Sequence, residues 1–252
     1  MMTLTRPPGR IEMLNGQQLY FEVHGTGEPL LLLHGFSGSS QDWIPSLEQW
    51  GTGFQLILPD LRGHGHSGIL SKPFRHEEAA RDMFALLDHL GIRACKGVGI
   101  SGGGNVLLHM ATKQPDRIQA MVLVSATPYF PAQARPLMSQ YPDTLPEQHW
   151  EILRRRHPGG DEQIKAILAS TKSFATSYDD LNFTPPLLST IQARTFIIQG
   201  DRDPLYPVEL SVEMAKSIPN SRLWIISNAG HGPILGGRWS EFLQTASAFL
   251  QE

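Results

Sequence analysis

The sequence predicts an α/β fold in which helices cover a mostly parallel sheet. Short apolar segments alternate with segments of helical periodicity along most of the chain. The apolar segments are continuous runs, which is typical of strands buried on both faces. Strands that alternate with helices are joined by right-handed crossovers, so neighbouring strands run parallel. The predicted strands of this kind are 29–33, 54–58, 98–100, 120–124, 195–198 and 223–226.

An antiparallel hairpin is predicted near the start of the chain. Residues 10–14 and 17–23 have strand-like composition, and Asn15-Gly16 between them suits a two-residue turn with positive φ at both positions. The predicted helices are 41–50, 77–90, one that follows Ser101 and stops before Pro115, 207–217, and a last one that carries Phe242, Ala246, Phe249 and Leu250 on one face.

Residues 128–186 interrupt this alternation. They contain no buried-strand pattern, yet the segment is too long to be a bare loop. Amphipathic pieces such as 161–170 indicate short helices instead. We therefore predict a core domain formed by residues 1–127 and 187–252, with residues 128–186 inserted as a helical cap.

Composition and charge exclude several classes of protein. The net charge of −3 offers no electrostatic footprint for nucleic acid. No apolar run approaches the length of a membrane span, and residues 1–10 lack the apolar segment of a signal peptide. Cys95 is the only cysteine, so neither an internal disulfide nor a cysteine-based metal site is expected. These observations predict a cytoplasmic protein, and they leave its oligomeric state open.

A Gly-x-Ser-x-Gly pattern is centred on Ser101. This serine lies between a predicted strand and a predicted helix, so the chain must turn sharply there. Such a turn strains the backbone and exposes the hydroxyl group, and bulky residues two positions away would collide across it. Gly99 and Gly103 remove that collision. The pattern alone is only moderately specific, because the chain contains 24 glycines.

Polar residues collect where the predicted strands end. These ends meet at one edge of a parallel sheet, which is where open α/β sheets place their functional residues. Acyl transfer needs a serine nucleophile, a histidine that takes its proton, a carboxylate that orients the histidine, and backbone donors for the oxyanion. The strand ends carry His34-Gly35-Phe36, Asp60, Ser101, Ser125, residues 200–203 and residues 228–231.

Along the chain, the three candidate residues follow the order Ser101, Asp203, His231. This order matches that of a fold that performs this chemistry. The chain here resembles the α/β-hydrolase superfamily, in particular carboxylesterase-like serine hydrolases with a short helical lid. The resemblance covers nearly the whole chain except the cap. Its five motifs, in matching order, are His34-Gly35-Phe36, residues 59–67, residues 99–103, residues 200–204 and Gly230-His231-Gly232.

Ser101 is the expected nucleophile and His231 the expected base. Of the ten histidines, His231 alone follows the last strand, in a loop of small residues. Asp201 and Asp203 both follow the preceding strand, and the resemblance implies Asp203 as the acid. The family's other position for the acid is occupied here by Ser125, which cannot take that role.

Backbone N–H groups are expected to bind the oxyanion. Gly102 begins a helix, where N–H groups lack acceptors within the helix and point outward. The resemblance implies the N–H of Phe36 as the second donor. His34 is expected to hold the same loop by hydrogen bonds rather than to take part in catalysis.

Three further groups of residues have open roles. Asp60, His64 and His66 could converge on a metal ion, but the resemblance implies a structural turn there, and no metal site is predicted. The run 154–157, Arg-Arg-Arg-His, could attract an anionic substrate or form a solvated helix face. Aromatic residues of the cap could line an acyl pocket or form the core of the cap. They are Tyr129, Phe130, Trp150, Phe174 and Tyr178.

We therefore expect a cofactor-independent hydrolase of small carboxylic esters that works through an acyl-enzyme. A serine at position 101 argues against dehalogenase and epoxide hydrolase chemistry, which in similar folds needs an aspartate there. The alternatives with the same triad are a C–C bond hydrolase of the meta-cleavage type, a lactonase and a ligand-sensing protein. A cofactor-free haloperoxidase fits less well, because similar proteins usually carry Trp where this chain has Phe36.

Overall fold

The structure of the protein is a computed structural model that describes residues 9–252. Residues 1–8 lie outside the described part, and with them most of the segment for which the sequence predicts no signal peptide. Between residues 9 and 252, no helix combines the length and the apolar character that crossing a membrane requires.

The strands form one sheet. They are β1 (Arg10–Leu14), β2 (Gln17–His24), β3 (Glu28–Leu33), β4 (Phe54–Pro59), β5 (Cys95–Ile100), β6 (Ile118–Val124), β7 (Arg194–Gly200) and β8 (Ser221–Ile226). Their spatial order is β1-β2-β4-β3-β5-β6-β7-β8. β2 pairs antiparallel with β1 and β4, and all other neighbours pair in parallel. The mostly parallel sheet and its N-terminal hairpin are therefore confirmed.

Helices connect most of the parallel strands. They are α1 (Leu47–Trp50), α2 (His76–His89), α3 (Gly102–Lys113), α4 (Ala134–Ser139), α5 (Glu147–Arg156), α6 (Gly160–Ser173), α7 (Pro185–Leu188), α8 (Val208–Ser217) and α9 (Trp239–Leu250). The predicted helix 41–50 is instead a 3-10 helix, Ser40–Ser46, followed by the single turn α1. Pro45 inside this segment has no N–H, so it cannot contribute to a regular α-helical hydrogen-bond ladder.

The hairpin turn has the predicted geometry. Asn15 has a φ of 50° and Gly16 a φ of 74°, so both central residues adopt the left-handed region. A turn of this kind matches the right-handed twist of the two strands it connects. The residue types at positions 15 and 16 therefore determine where β1 ends and β2 begins.

The sheet separates two hydrophobic clusters. Leu31 and Leu33 of β3 pack into the cluster that also contains residues of α2, α3 and α8. Leu30 and Leu32 pack into the cluster on the opposite face, with residues of α1 and α9. All four leucines are fully buried, as expected for a strand covered on both faces. Packing on both faces holds β3 in position, and with it the polar residues that follow the end of the strand.

Helices α4 to α7 lie between β6 and β7, and all but the last two residues of α7 belong to the segment 128–186 that is predicted to form a helical cap. Buried Gln163 of α6 fastens the cap to the core, since its amide Nε2 donates to the carbonyl oxygens of Gly63 (3.1 Å) and Gly65 (2.9 Å). His157, just after α5, accepts a hydrogen bond from the N–H of Gly65 at 2.9 Å. The division into a core (1–127 and 187–252) and a cap (128–186) stays a prediction, and its first eight residues lie outside the described part.

Candidate active site

Ser101 occupies a strained turn between β5 and α3. Its φ of 50° and ψ of −115° lie outside the regions that non-glycine residues usually adopt. A Cβ atom at Gly99 would lie 2.5 Å from the carbonyl group of Gly103, and a Cβ at Gly103 would lie 2.4 Å from Leu33 O. Only glycine fits at these two positions. The glycines of the Gly-x-Ser-x-Gly pattern therefore prevent steric collisions across the turn, as the sequence suggests.

Three side chains from three different loops form a continuous hydrogen-bonded line. Ser101 Oγ lies 2.8 Å from His231 Nε2, and His231 Nδ1 lies 2.7 Å from Asp203 Oδ2. An ionised carboxylate only accepts hydrogen bonds, so Nδ1 carries the proton and Nε2 presents its lone pair to the hydroxyl. The arrangement suits Nε2 to take the proton of Ser101 when the serine oxygen attacks.

The carboxylate of Asp203 is held by four donors. Oδ1 accepts from the N–H groups of Leu205 (2.8 Å) and Tyr206 (3.1 Å), while Oδ2 accepts from Gln199 Nε2 (2.9 Å) as well as from His231. Burial by itself raises the pKa of Asp203, but the hydrogen bond and charge of His231 and the backbone donors outweigh it and lower the pKa. The group is therefore a carboxylate at neutral pH.

Asp201 and Ser125, which occupies the family's other position for the acid, are placed differently. Asp201 is exposed, and its Oδ1 accepts a long hydrogen bond of 3.3 Å from the N–H of Ala229. It shapes the loop between the strand end and His231 rather than contacting the imidazole. Ser125 is fully buried after β6, with a φ of 50° and no hydrogen-bond partner for its hydroxyl within residues 9–252.

The N–H groups of Phe36 and Gly102 lie close together beside Ser101. The position that a Cβ atom on Gly102 would occupy is 3.5 Å from Phe36 N. Gly102 is the first residue of α3, where N–H groups have no acceptor inside the helix. The N–H of Phe36 has no acceptor in the described part of the chain either. Two free donors therefore flank the serine, as an oxyanion site requires.

His34 supports the loop that carries Phe36. Its Nδ1 donates to Gly35 O at 2.8 Å, and its Nε2 accepts from the N–H of Leu61 at 3.0 Å. Burial lowers the pKa of His34 and outweighs the opposing effect of the Asp60 charge, so the ring is neutral at pH 7. Both ring nitrogens are occupied, in agreement with the structural role that the sequence suggests.

A cavity of about 810 Å³ opens above Ser101. Two of the five aromatic residues predicted for a pocket, Phe130 and Phe174, line it together with Phe36. Most of its wall is apolar, and its polar lining residues include Ser101, His231, Asp42 and Arg156. The apolar lining side chains are Phe36, Ile100, Phe130, Leu137, Met138, Phe174, Leu205, Leu235 and Trp239.

The other three aromatic residues do not line this cavity. Trp150 packs with Ile164 and Leu168 in a small hydrophobic cluster inside the cap. Tyr129 and Tyr178 line a separate pocket of about 410 Å³. The composition of the cap shows that it is rich in aromatic residues, but it does not show which of its faces turns towards Ser101.

The Asp60 segment forms a turn in which the side chains diverge. Asp60 accepts from the N–H groups of Ser40 (2.6 Å) and His66 (2.8 Å), whereas His64 Nδ1 donates to Arg62 O (2.9 Å). Burial lowers the pKa of His64 well below its usual value. Among residues 9–252, no group of three or more His, Cys, Asp or Glu side chains is arranged to hold a metal ion.

The basic run at the end of α5 does not form one surface. Arg154 pairs on the exterior with Asp161, with 2.7 Å between Nε and Oδ1. Arg156 lines the cavity and pairs with Asp42, with 2.8 Å between Nη2 and Oδ1. His157 is fully buried. The solvated-face interpretation therefore applies only to the start of the run.

Nothing in the sequence indicated that His76, a polar residue, lines the cavity. This residue begins α2 and is buried, yet it lines the cavity beside Gly102. Its Nδ1 lies 2.8 Å from Oδ2 of Asp180, which comes from the cap 104 residues later. Nothing local in the sequence marks a helix-starting histidine as part of a site, so only the fold reveals it.

Comparisons with known proteins agree with this architecture. The family model of the alpha/beta hydrolase fold matches residues 28–157, which is just over half of the chain. A non-heme haloperoxidase from Rhodococcus erythropolis is 28% identical, over 86% of this chain and 90% of the relative. A pimeloyl-[acyl-carrier protein] methyl ester esterase from Vibrio vulnificus is 27% identical, over 86% of this chain and 92% of the relative.

A solved structure is also similar over nearly the whole chain. The thermophilic esterase from Thermogutta terrifontis superposes with a TM-score of 0.78 at 25% identity, covering 97% of this chain and 98% of the esterase. The chain belongs to the alpha/beta hydrolase fold family and is a hydrolase.

Proposed function

We propose that this hydrolase cleaves carboxylic esters by a two-step acyl transfer. Ser101 is the nucleophile, His231 the general base and acid, and Asp203 the residue that orients the imidazole. The observation that carries the proposal is the hydrogen-bonded line from Ser101 Oγ through His231 to Asp203, with distances of 2.8 and 2.7 Å.

In the first step, Ser101 Oγ bonds to the ester carbonyl carbon while its proton passes to His231 Nε2. The negative charge that develops on the carbonyl oxygen is stabilised by the N–H groups of Phe36 and Gly102. The C–O bond to the alcohol then breaks, and His231 donates the proton to the departing oxygen. The products of this step are the free alcohol and an acyl-enzyme.

In the second step, water attacks the acyl carbon. His231 takes one proton from that water, and the second tetrahedral intermediate places its oxyanion on the same two donors. The bond to Ser101 Oγ then breaks, and the serine regains its proton from His231. Asp203 remains ionised throughout, because its hydrogen bonds lower its pKa, and it stabilises the imidazolium that forms in each step.

The cavity supports small esters with an apolar acyl group. Its walls are largely aliphatic and aromatic, and its polar lining residues include Ser101 and His231. Such a distribution binds an apolar group by desolvation and orients the carbonyl by hydrogen bonds. Among the compared proteins, the Vibrio vulnificus relative and the Thermogutta terrifontis structure both carry an esterase name, which favours esters over other acyl compounds.

A panel of substrates tests the proposal. The panel contains short-chain p-nitrophenyl esters, alkyl methyl esters, lactones and vinylogous diketones. We expect repeated turnover of the esters, at least tenfold faster than of the lactones and diketones. A preference for lactones or diketones would contradict the ester assignment, and release of a single equivalent without further turnover would favour a ligand-sensing protein.

A further inference from the structure

His76 presents a polar atom to the cavity beside the proposed oxyanion site. Its Nε2 lies 3.7 Å from the position that a Cβ on Gly102 would occupy, and Phe36 N lies 3.5 Å from the same position. Within residues 9–252, Nε2 has no hydrogen-bond partner, whereas Nδ1 is bonded to Asp180. One ring nitrogen is therefore fixed, and the other is free to contact a substrate.

Asp180 determines which hydrogen bond the free nitrogen can make. Its carboxylate accepts from Nδ1 (2.8 Å) and the N–H (2.9 Å) of His76, and from the N–H of Glu77 (3.2 Å). Burial raises the pKa of Asp180, but the hydrogen bonds that its carboxylate accepts from His76 and Glu77 outweigh this effect and hold the pKa well below its ordinary value. Because the carboxylate only accepts, the proton of the neutral ring is on Nδ1, and Nε2 is an acceptor.

The surroundings of His76 are aromatic. Ring centroids of Phe74, Phe174 and Phe130 lie 5.1, 5.2 and 5.9 Å from that of His76. Phe130 and Phe174, whose rings are stacked 5.1 Å apart, also line the cavity. His76 Nε2 is thus an acceptor among aromatic rings at the cavity wall. His76 is only 1% exposed, so water has little access to Nε2, and a ligand that supplies a donor is favoured there.

We propose that the His76–Asp180 pair is a specificity-determining element that selects esters whose acyl group carries a hydroxyl next to the carbonyl carbon. The carbonyl oxygen would bind Phe36 and Gly102, and the neighbouring hydroxyl would donate to His76 Nε2. An aryl group on the same carbon would pack on Phe130 and Phe174. The inference rests on the proposed function, because it takes the acyl side of the substrate to lie beside these two N–H groups.

Ligand binding to the Ser101→Ala variant tests this without turnover. Isothermal titration calorimetry would compare methyl mandelate with methyl phenylacetate, which lacks only the hydroxyl. We expect the better enantiomer of methyl mandelate to bind about tenfold more tightly. Adding His76→Phe should bring the ratio of the two affinities to near one. Adding His149→Phe, the same change at an exposed position of the cap, should leave the ratio unchanged.

Asp180→Asn provides a readout that a purely structural role would not alter. Without the carboxylate, the His76 proton is no longer held on Nδ1, so Nε2 can also donate. The preference for methyl mandelate over the keto ester methyl benzoylformate should then narrow by at least threefold. Circular dichroism would verify that each variant is folded.

The outcomes separate the two proposals. Equal affinities for methyl mandelate and methyl phenylacetate, no measurable binding of methyl mandelate, or a ratio that survives His76→Phe would overturn the role of His76. If the affinities differ as expected but the wild-type protein hydrolyses neither ester, the role of His76 in ligand selection stands and the proposed esterase function fails.

Discussion

The carboxylate of Asp203 and the imidazole of His231 are 28 residues apart in sequence, yet Oδ2 and Nδ1 lie 2.7 Å apart. The contact arises because β7 and β8 pair in parallel, so both residues follow strand ends at the same edge of the sheet. Gln199, the penultimate residue of β7, donates to the same carboxylate oxygen at 2.9 Å. The carboxylate of Asp203 is therefore held in place by a residue of its own strand as well as by His231.

The first prediction separates Asp203 from Asp201. Asp203→Asn should lower kcat for p-nitrophenyl acetate by about 10³- to 10⁴-fold, because an amide no longer holds the imidazole in the required tautomer. Asp201→Asn is the matched control, since Asp201 is exposed and its carboxylate accepts a long hydrogen bond from the N–H of Ala229. It should change kcat by less than about threefold. A larger loss at Asp201 would show that the acid has been assigned to the wrong residue.

The second prediction concerns the turn at Ser101. Gly103→Ala places a methyl group 2.4 Å from Leu33 O and 2.6 Å from His34 O, and both contacts are with backbone that cannot yield cheaply. The free energy of unfolding should fall by more than about 3 kcal/mol. Gly53→Ala, at an exposed position with no atom within 4 Å of the added group, should change it by less than about 1 kcal/mol.

Urea denaturation of the two alanine variants measures this difference. Similar unfolding free energies for Gly103→Ala and Gly53→Ala would mean that the turn relaxes easily. The steric explanation of the Gly-x-Ser-x-Gly pattern would then be wrong.

The third prediction concerns the pH dependence of stability. Burial, assisted by the charge of Arg156 and opposed by the hydrogen bond to Ser37, lowers the pKa of His157 from 6.5 to about 4. Between these values the unfolded chain binds a proton that the folded chain excludes. The contribution of His157 to the free energy of unfolding is therefore fully present above pH 6.5 and is lost as the pH falls towards 4. This contribution is about 3 kcal/mol.

His157→Gln tests this contribution to stability, because glutamine does not titrate. The variant should be less stable at pH 7.5, since His157 joins the N–H of Gly65 to Ser37 O. The difference in unfolding free energy from the wild type should then shrink by about 2 kcal/mol at pH 4.5. His149→Gln, at an exposed position, should leave the pH profile unchanged. A constant difference at both pH values would contradict the prediction.

Much of the fold could be predicted because its determinants are local. The leucine run of β3, the Asn15-Gly16 turn and the glycines around Ser101 each specify their conformation within a few residues. The residues after the strand ends could be predicted for the same reason. Once strands are parallel, their ends share an edge, and Ser101, Asp203 and His231 must be neighbours.

The walls of the cavity could not be predicted in this way. His76 depends on Asp180, which is 104 residues away in the cap, and no periodicity connects the two. Phe130 and Trp150 belong to the same aromatic-rich segment, yet one faces Ser101 and the other packs inside the cap. Cap packing decides between these positions, and it depends on contacts that are distant in sequence.

The most direct test of the central claim is to trap the acyl-enzyme. Wild-type protein and Ser101→Ala are mixed with p-nitrophenyl acetate, quenched with acid during turnover, digested and analysed by mass spectrometry. The proposed mechanism predicts one acetyl group on Ser101 in the wild type, and neither a specific acetyl group nor measurable turnover in Ser101→Ala. Acetylation of another residue at the turnover rate, or undiminished hydrolysis by Ser101→Ala, would contradict it.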